Sequence, residues 1–155
     1  MTDSIYIPAI AGDGSLYPIE KMQAHLDGQL HLAVSVFVFD GDLLLIQKRA
    51  STKYHCAGLW ANTCCTHPHW DETVEDCAER RLTEELGFTL PLTRHQTVEY
   101  AADVGEGLKE HERVTLFSAQ VDSRTLKVAP VEGEVEAVRW IAPRDLMREV
   151  RERPQ

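Results

Sequence analysis

Residues 66–88 read THPHWDETVEDCAERRLTEELGF, and the spacing of their apolar members decides the architecture. Val74, Cys77, Ala78, Leu82 and Leu86 recur at intervals of three and four, which predicts one amphipathic helix from Thr73 to Leu86. Gly87 stands where that helix ends, because glycine readily takes the left-handed backbone of a helix terminus. Thr73 with Asp76 three residues on resembles a capping box, and Asp71 is an equally placed cap. Glu84 and Glu85 would ordinarily be a solvated face. Glu85, however, lies in the apolar phase, one turn beyond Arg81 and Leu82, and so reads as a functional acid.

Outward from the helix the period changes to that of strands. Residues 31–39, HLAVSVFVF, and 43–47, LLLIQ, are apolar runs separated by Asp40-Gly41-Asp42, which predicts a hairpin. Strand-like pieces follow at 96–101, 113–120 and 136–141, and Pro143 opens a last helix through about Val150. Loops are expected at 50–58, 66–72, 103–109 and 122–133. The fold class is therefore α+β, with strands on both sides of a central helix. Its length of 155 residues is that of a single domain, 1–155.

Composition excludes several functions. A net charge of −9 opposes general nucleic-acid binding, which needs a basic footprint. An anionic substrate would need locally placed cations. No run of residues is apolar enough to span a membrane, and the N-terminus lacks the pattern of a signal peptide, so the cytoplasm is expected. Cys56, Cys64, Cys65 and Cys77 are read as reduced thiols, since Cys64 and Cys65 are adjacent and no paired CxxC knuckles occur. A single chain, acting as a monomer, is expected.

Within 66–88, Glu72, Arg80, Glu84, Glu85 and Gly87 fall at the spacing of the Nudix box, a loop-helix that holds a divalent metal against a diphosphate. Two positions depart from it: Thr66 replaces the opening glycine, and Arg81 replaces the glutamate after the arginine. That glutamate helps hydrolases hold metal and activate water. Arg81 instead supplies a positive fork suited to diphosphate oxygens.

Residues 60–68, WANTCCTHP, closely resemble the active-site segment of type 1 isopentenyl-diphosphate isomerases, in which a cysteine stands two residues before a metal-binding histidine. Cys65 and His67 fill those places. In an extended segment residues two apart face the same side, so Cys65 and His67 share a pocket while Cys64 points away. Cys56, Cys64 and Cys77 read as small buried hydrophobes. Upstream, Lys21, His25 and His31 stand in the family's order KxxxHxxxxxH. Downstream, Glu110 and Glu112 share one strand face with His111 turned opposite. His55, His69 and His95 carry no assigned role.

The resemblance, from about Lys21 to Asp145, implies metal-dependent interconversion of isopentenyl and dimethylallyl diphosphates. It makes Cys65 and Glu112 the proton-handling pair, assisted by Tyr100. His25, His31, His67, Glu110 and Glu112 become ligands to one divalent ion, Mn²⁺ or Mg²⁺ with Zn²⁺ also compatible. Glu85, with the Cys65 carbonyl, would hold a second Mg²⁺ on the diphosphate, which Lys21, Arg49, Lys53 and Arg81 would anchor. Trp60 is a candidate aromatic face for the tertiary carbocation. The family's usual C-terminal segment, with its tryptophan, has no counterpart before Gln155, and Trp140 reads as strand packing. Two other functions remain compatible. One is a Nudix hydrolase of a nucleoside or prenyl diphosphate, which Arg81 and the Cys65/Glu112 pair oppose. The other is a non-catalytic metal- and diphosphate-binding module, favoured only by the absent tail.

Overall fold

The computed structural model describes residues 5–50, 60–105 and 107–145, without the side chains of 102–105, 108 and 110. In chain order the elements are β1 (Tyr6–Ile10), β2 (Leu16–Glu20), α1 (Lys21–Asp27), β3 (His31–Asp40), β4 (Leu43–Arg49), β5 (Trp60–Ala61), β6 (Cys64–Thr66), α2 (Val74–Leu86), β7 (Thr93–Gly105), β8 (Leu108–Gln120) and β9 (Val135–Ile141). The described strands form one mixed sheet. A helical turn opens at Pro143, and the remainder of the expected last helix lies outside the described residues.

Strand β3 is the hub. Along one edge it pairs in parallel with β8 from His31 opposite Glu112 to Phe39 opposite Gln120. Along the other it meets β1 at Ala9, β6 at Cys64–Thr66 and β4 at Leu43–Leu44. Side chains alternate across a strand, so Val34, Val36 and Val38 all fall on one face. There they pack with Leu45, Cys64 and Phe117 against Cys77, Ala78, Leu82 and Leu86 of α2. Each such fully buried aliphatic side chain contributes about 1.5–3 kcal/mol relative to exposure. Phe37 and Phe39 are on the opposite face with Leu44, Ile46 and Ile141.

Helix α2 starts at Thr73, whose side chain accepts from the Asp76 backbone N–H, so Thr73 and not Asp71 is the cap. Glu75 and Asp76 in the first turn oppose the positive end of the helix dipole. At the other end Gly87 takes φ 74° and its N–H donates to the Thr83 carbonyl. The last carbonyls are also used: Ala129 N–H donates to Leu86 and Val131 N–H to Glu85, at 2.8 and 2.9 Å. The 122–133 loop thereby docks on the helix terminus.

Three expectations change. The N-terminal hairpin β1–β2 and the short helix α1 carry no clear period in the sequence, yet they close one end of the sheet over His31. Strands β7 and β8 are longer than 96–101 and 113–120. The loop expected at 103–109 is instead a tight hairpin, with Gly105 opposite Leu108 and Gly107 at φ 76°. The polar residues of β7 hide it because, among the described residues, that strand pairs only with β8 and is exposed along most of its length. The expected loop at 50–58 lies largely outside the described residues. No described helix is long and apolar enough to cross a membrane.

A Cβ added at Gly87 would stand 2.9 Å from both the Cβ and the carbonyl oxygen of Ala129, on a backbone already at positive φ. Gly87→Ala is expected to destabilise the fold by about 1–3 kcal/mol, the usual cost of a strained backbone residue, seen as a lower urea midpoint. An unchanged midpoint would show that neither the φ value nor the contact with Ala129 constrains this position.

Candidate active site

The register of the sheet brings the polar candidates onto one face. His31 lies opposite Glu112, and Glu112 lies opposite Tyr100. Four residues along β3 from His31, Ser35 lies opposite Cys65. These are all on the side of β3 away from the valines, and His67 follows as the chain leaves β6. Cys64, opposite Val36, points into the core and is fully buried, whereas Cys65 is exposed. The two adjacent cysteines thus occupy different chemical environments.

His25 enters from α1, where it is buried in the last turn. Its Nδ1 lies 2.8 Å from the Lys21 carbonyl, and His31 Nδ1 lies 2.8 Å from the Gln29 carbonyl. A carbonyl only accepts, so each Nδ1 carries a proton, and the neutral tautomer of each ring has its lone pair on Nε2. The rings of His25, His31 and His67 have centroids 4.9–5.4 Å apart. One ligand atom from each of these histidines and one from Glu112 all lie within 4.8 Å of one another.

His31 Nε2 is buried and makes no hydrogen bond among the described residues, although Glu112 Oε2 is 3.3 Å away. A buried nitrogen without a hydrogen bond is costly, and a lone pair facing other lone pairs suits a cation. The donor set of imidazole nitrogens and a carboxylate fits a divalent metal, whose bonds of roughly 2.0–2.2 Å put neighbouring ligands about 3–4 Å apart. Backbone carbonyls on the Nδ1 atoms supply the outer hydrogen bonds typical of metal-binding histidines.

Glu112 is nearly buried, and burial by itself would raise its pKa. Contacts with His31 and His67 and a hydrogen bond from Tyr100 overcome this and hold the carboxyl well below its usual range. His67 Nε2 is 2.6 Å from Oε2, and the Tyr100 hydroxyl donates to Oε1 at 2.6 Å. His67 is lowered to about 4, chiefly by burial and against the pull of Glu112. Glu110 lies two residues before Glu112 on β8, opposite Ala102, and its side chain is outside the described residues.

Glu85 is on the core side of the sheet, as its phase in the helix predicts, and only 3% exposed. Gln47 Nε2 donates to its Oε1 at 2.7 Å, and Arg81 donates to its Oε2 at 2.5 Å. Arg81 also reaches Glu84 at 2.7 Å and Glu134 at 3.4 Å. Burial would lower the Arg81 pKa, but these carboxylates raise it further above its ordinary value. Buried beside Glu85, the Cys64 thiol is pushed well above its ordinary pKa, and Cys77 is raised to about 12 by burial. Both are inert neutral thiols at neutral pH.

A cleft of about 220 Å³ is lined by His67, Lys21, Arg80, Arg81, His69 and Glu134. Arg80 is tied to Glu72 by two hydrogen bonds at 2.7 and 2.9 Å, which fastens the loop before α2 to the helix. Of the remaining predicted residues, Arg49 ends β4. Trp60 lies opposite Lys48 in β5, 42% exposed, with the Arg139 guanidinium 5.7 Å from its ring. Lys53, Cys56 and His55 lie outside the described residues. His95 bonds Ser118 on the surface.

Sequence reasoning missed Gln47, Thr63 and Ser35. Ser35 was within reach, because it is four residues after His31 in a strand and so shares its face. Gln47 and Thr63 gave no signal, since their partners are distant in sequence.

Comparisons with known proteins agree with this architecture. Residues 29–155 match the NUDIX domain family. The chain is 54% identical over 144 residues to an isopentenyl-diphosphate Delta-isomerase of Cereibacter sphaeroides, covering 92% of this chain and 81% of that protein. It is 53% identical over 153 residues to the enzyme of the same name from Roseobacter denitrificans, covering 97% and 85%. Its fold is similar to the crystal structure of a MutT NUDIX hydrolase from Burkholderia pseudomallei, with a TM-score of 0.60 and 27% identity over 74% of this chain and 84% of that one.

His67→Ala is expected to weaken divalent-metal binding at least about tenfold, a loss already typical when only a ligand's hydrogen-bonding partner is removed. The metal-to-protein ratio after gel filtration measures this. An unchanged ratio would remove His67 from the ligand set.

Proposed function

The chain belongs to the isopentenyl-diphosphate Delta-isomerase family of NUDIX-domain proteins, and on that premise we propose how it interconverts isopentenyl and dimethylallyl diphosphates. The reading is supported above all by one observation: Cys65 and the Tyr100-bonded Glu112 share a sheet face beside three converging histidines. Hydrolysis at phosphorus has no use for an exposed thiol on that face. Movement of a double bond does.

An unactivated alkene is a feeble base, so the reaction needs a positioned acid and, for a different carbon, a positioned base. Cys65 and Glu112 are assigned these two tasks. Tyr100 donates to Glu112 Oε1 at 2.6 Å, so a proton passing through that carboxylate has a bonded neighbour. Trp60, on the register face of Cys65, is assigned as the aromatic surface for the cationic intermediate, worth about 0.5–2 kcal/mol depending on desolvation.

His25, His31, His67 and Glu112, with Glu110 as a fifth ligand, are assigned to Mn²⁺, Mg²⁺ or Zn²⁺, which when bound would fix the carboxylate and tune its acidity. Glu85 and the Cys65 carbonyl are assigned to a second Mg²⁺ that accompanies the substrate. Lys21 and Arg81 line the cleft beside His67 and suit a diphosphate, as do Arg49 and Lys53 in the segment leading to Cys65.

Proton NMR of isopentenyl diphosphate incubated in D₂O with the protein, Mg²⁺ and Mn²⁺ tests the reading. Deuterated dimethylallyl diphosphate is the expected product; free phosphate would instead mark a hydrolase. In the same assay Cys65→Ala is expected to abolish turnover while sparing bound metal, and Cys64→Ala to change turnover by less than about threefold, as for a buried thiol exchanged for a similar small side chain. Equal losses would overturn the assignment of Cys65.

A further inference from the structure

We propose that Asn62 is a positioning residue for Cys65: its side-chain carbonyl accepts the Cys65 S–H and holds the sulfur on the face that carries His67 and Glu112. The proposal rests on the isomerase reading above and deepens it.

Three observations carry it. First, the Cys65 thiol donates to Asn62 Oδ1, three residues upstream across the bend between β5 and β6. Cys65 is otherwise exposed and sits on a strand of only three residues, so its rotamer is not fixed by core packing. A side chain that must act on a substrate atom needs such a fixed orientation.

Second, the backbone next to Asn62 is locked. Thr63 is fully buried, and its hydroxyl donates to the Leu45 carbonyl at 2.6 Å while accepting from Val38 N–H at 2.9 Å. Its carbonyl accepts from Gln47 Nε2 at 2.8 Å. The same Gln47 nitrogen holds Glu85, so a single buried amide ties the Asn62–Cys65 bend to α2. Strands β3 and β4 thus fix where Asn62 stands, which a freely moving loop asparagine would not achieve.

Third, Ser35 gives the sulfur a second polar neighbour. It is the cross-strand partner of Cys65, and its hydroxyl lies 3.7 Å from Sγ. The thiol therefore meets both a carbonyl on its own strand connection and a hydroxyl on β3. Turning the S–H from Asn62 toward a substrate carbon is a rotation about Cβ–Sγ that leaves the sulfur in place. Orientation is retained while the proton is released for use.

The orientation of the amide gives the proposal its sharpest consequence. A carbonyl facing the sulfur can be replaced by a carboxylate oxygen of the same shape, whereas an amide N–H facing a thiolate cannot. Asn62 does not have a positive φ, so neither alanine nor aspartate strains its backbone.

The experiment compares the wild-type chain with Asn62→Ala, Asn62→Asp and Ser35→Ala. Turnover is followed by NMR in D₂O, metal content is measured on the same samples, and Cys65 alkylation by iodoacetamide is localised by fragmentation mass spectrometry. Asn62→Ala is expected to lower kcat about ten- to hundredfold, the range that misplacement of a reacting group produces, with KM and bound metal unchanged. Asn62→Asp is expected to restore kcat to within about tenfold of wild type, because it keeps the acceptor. Ser35→Ala should fall between wild type and Asn62→Ala. Cys65 alkylation should accelerate in Asn62→Ala, because the thiol loses the acceptor that occupies it.

Unchanged kcat in Asn62→Ala overturns the proposal, and so does Asn62→Asp as impaired as the alanine variant. A rise in KM or a loss of metal alongside kcat would assign Asn62 to substrate binding or folding instead, and would also overturn it. Absence of turnover in the wild-type chain would count against the isomerase reading. Alkylation then still decides the contact: an equal Cys65 rate in wild type and Asn62→Ala rejects it.

Discussion

Everything in the site depends on the alternation of strand β3. It is paired along both edges, so each of its residues is committed to one of two faces. Val34, Val36 and Val38 face α2 and build the core, while His31 and Ser35 face the other way. A shift of one residue would exchange these sets, burying a histidine among leucines and exposing three valines. The core therefore enforces the register that assembles the site. Glu112, Tyr100, Cys65 and His67 take their places because β8, β7 and β6 are hydrogen-bonded, directly or through β8, to that strand.

The sheet also separates two kinds of acid. On the valine side Glu85 is buried with Gln47 and Arg81, and its two oxygens are held by donors from a strand and a helix turn. On the other side Glu112 is held by His67 and Tyr100. Both carboxylates are removed from bulk water, and each is matched with hydrogen-bond donors, which offsets the cost of burial. The substitution that puts Arg81 where hydrolases of the superfamily carry glutamate fits this arrangement, since a third carboxylate in that turn would repel Glu84 and Glu85.

The N-terminal elements have a role that their modest size conceals. Helix α1 has seven residues, yet it carries His25 and Lys21, and the Lys21 carbonyl fixes the tautomer of His25. The Gln29 carbonyl, just past the left-handed Gly28, does the same for His31. The chain turns sharply there and brings two imidazoles six residues apart to a centroid distance of 5.4 Å. The two histidines, the helix cap and the strand start are a single local structure.

The sequence by itself determined the central helix, the β3–β4 hairpin, the opposite facing of Cys64 and Cys65, and the burial of Glu85. All are consequences of local periods: 3.6 residues for a helix and two for a strand. It also carried the family motif, because the Nudix helix and the cysteine–histidine segment are contiguous. Tertiary structure alone decided the rest. His25, His31, His67 and Glu112 come from four separate segments, and only sheet pairing makes them neighbours. The length of β7 was hidden because an exposed edge strand needs no apolar alternation. The Gln47–Thr63 bridge was hidden because hydrogen-bond satisfaction in a core depends on which distant atoms arrive beside an amide, and no spacing along the chain encodes that.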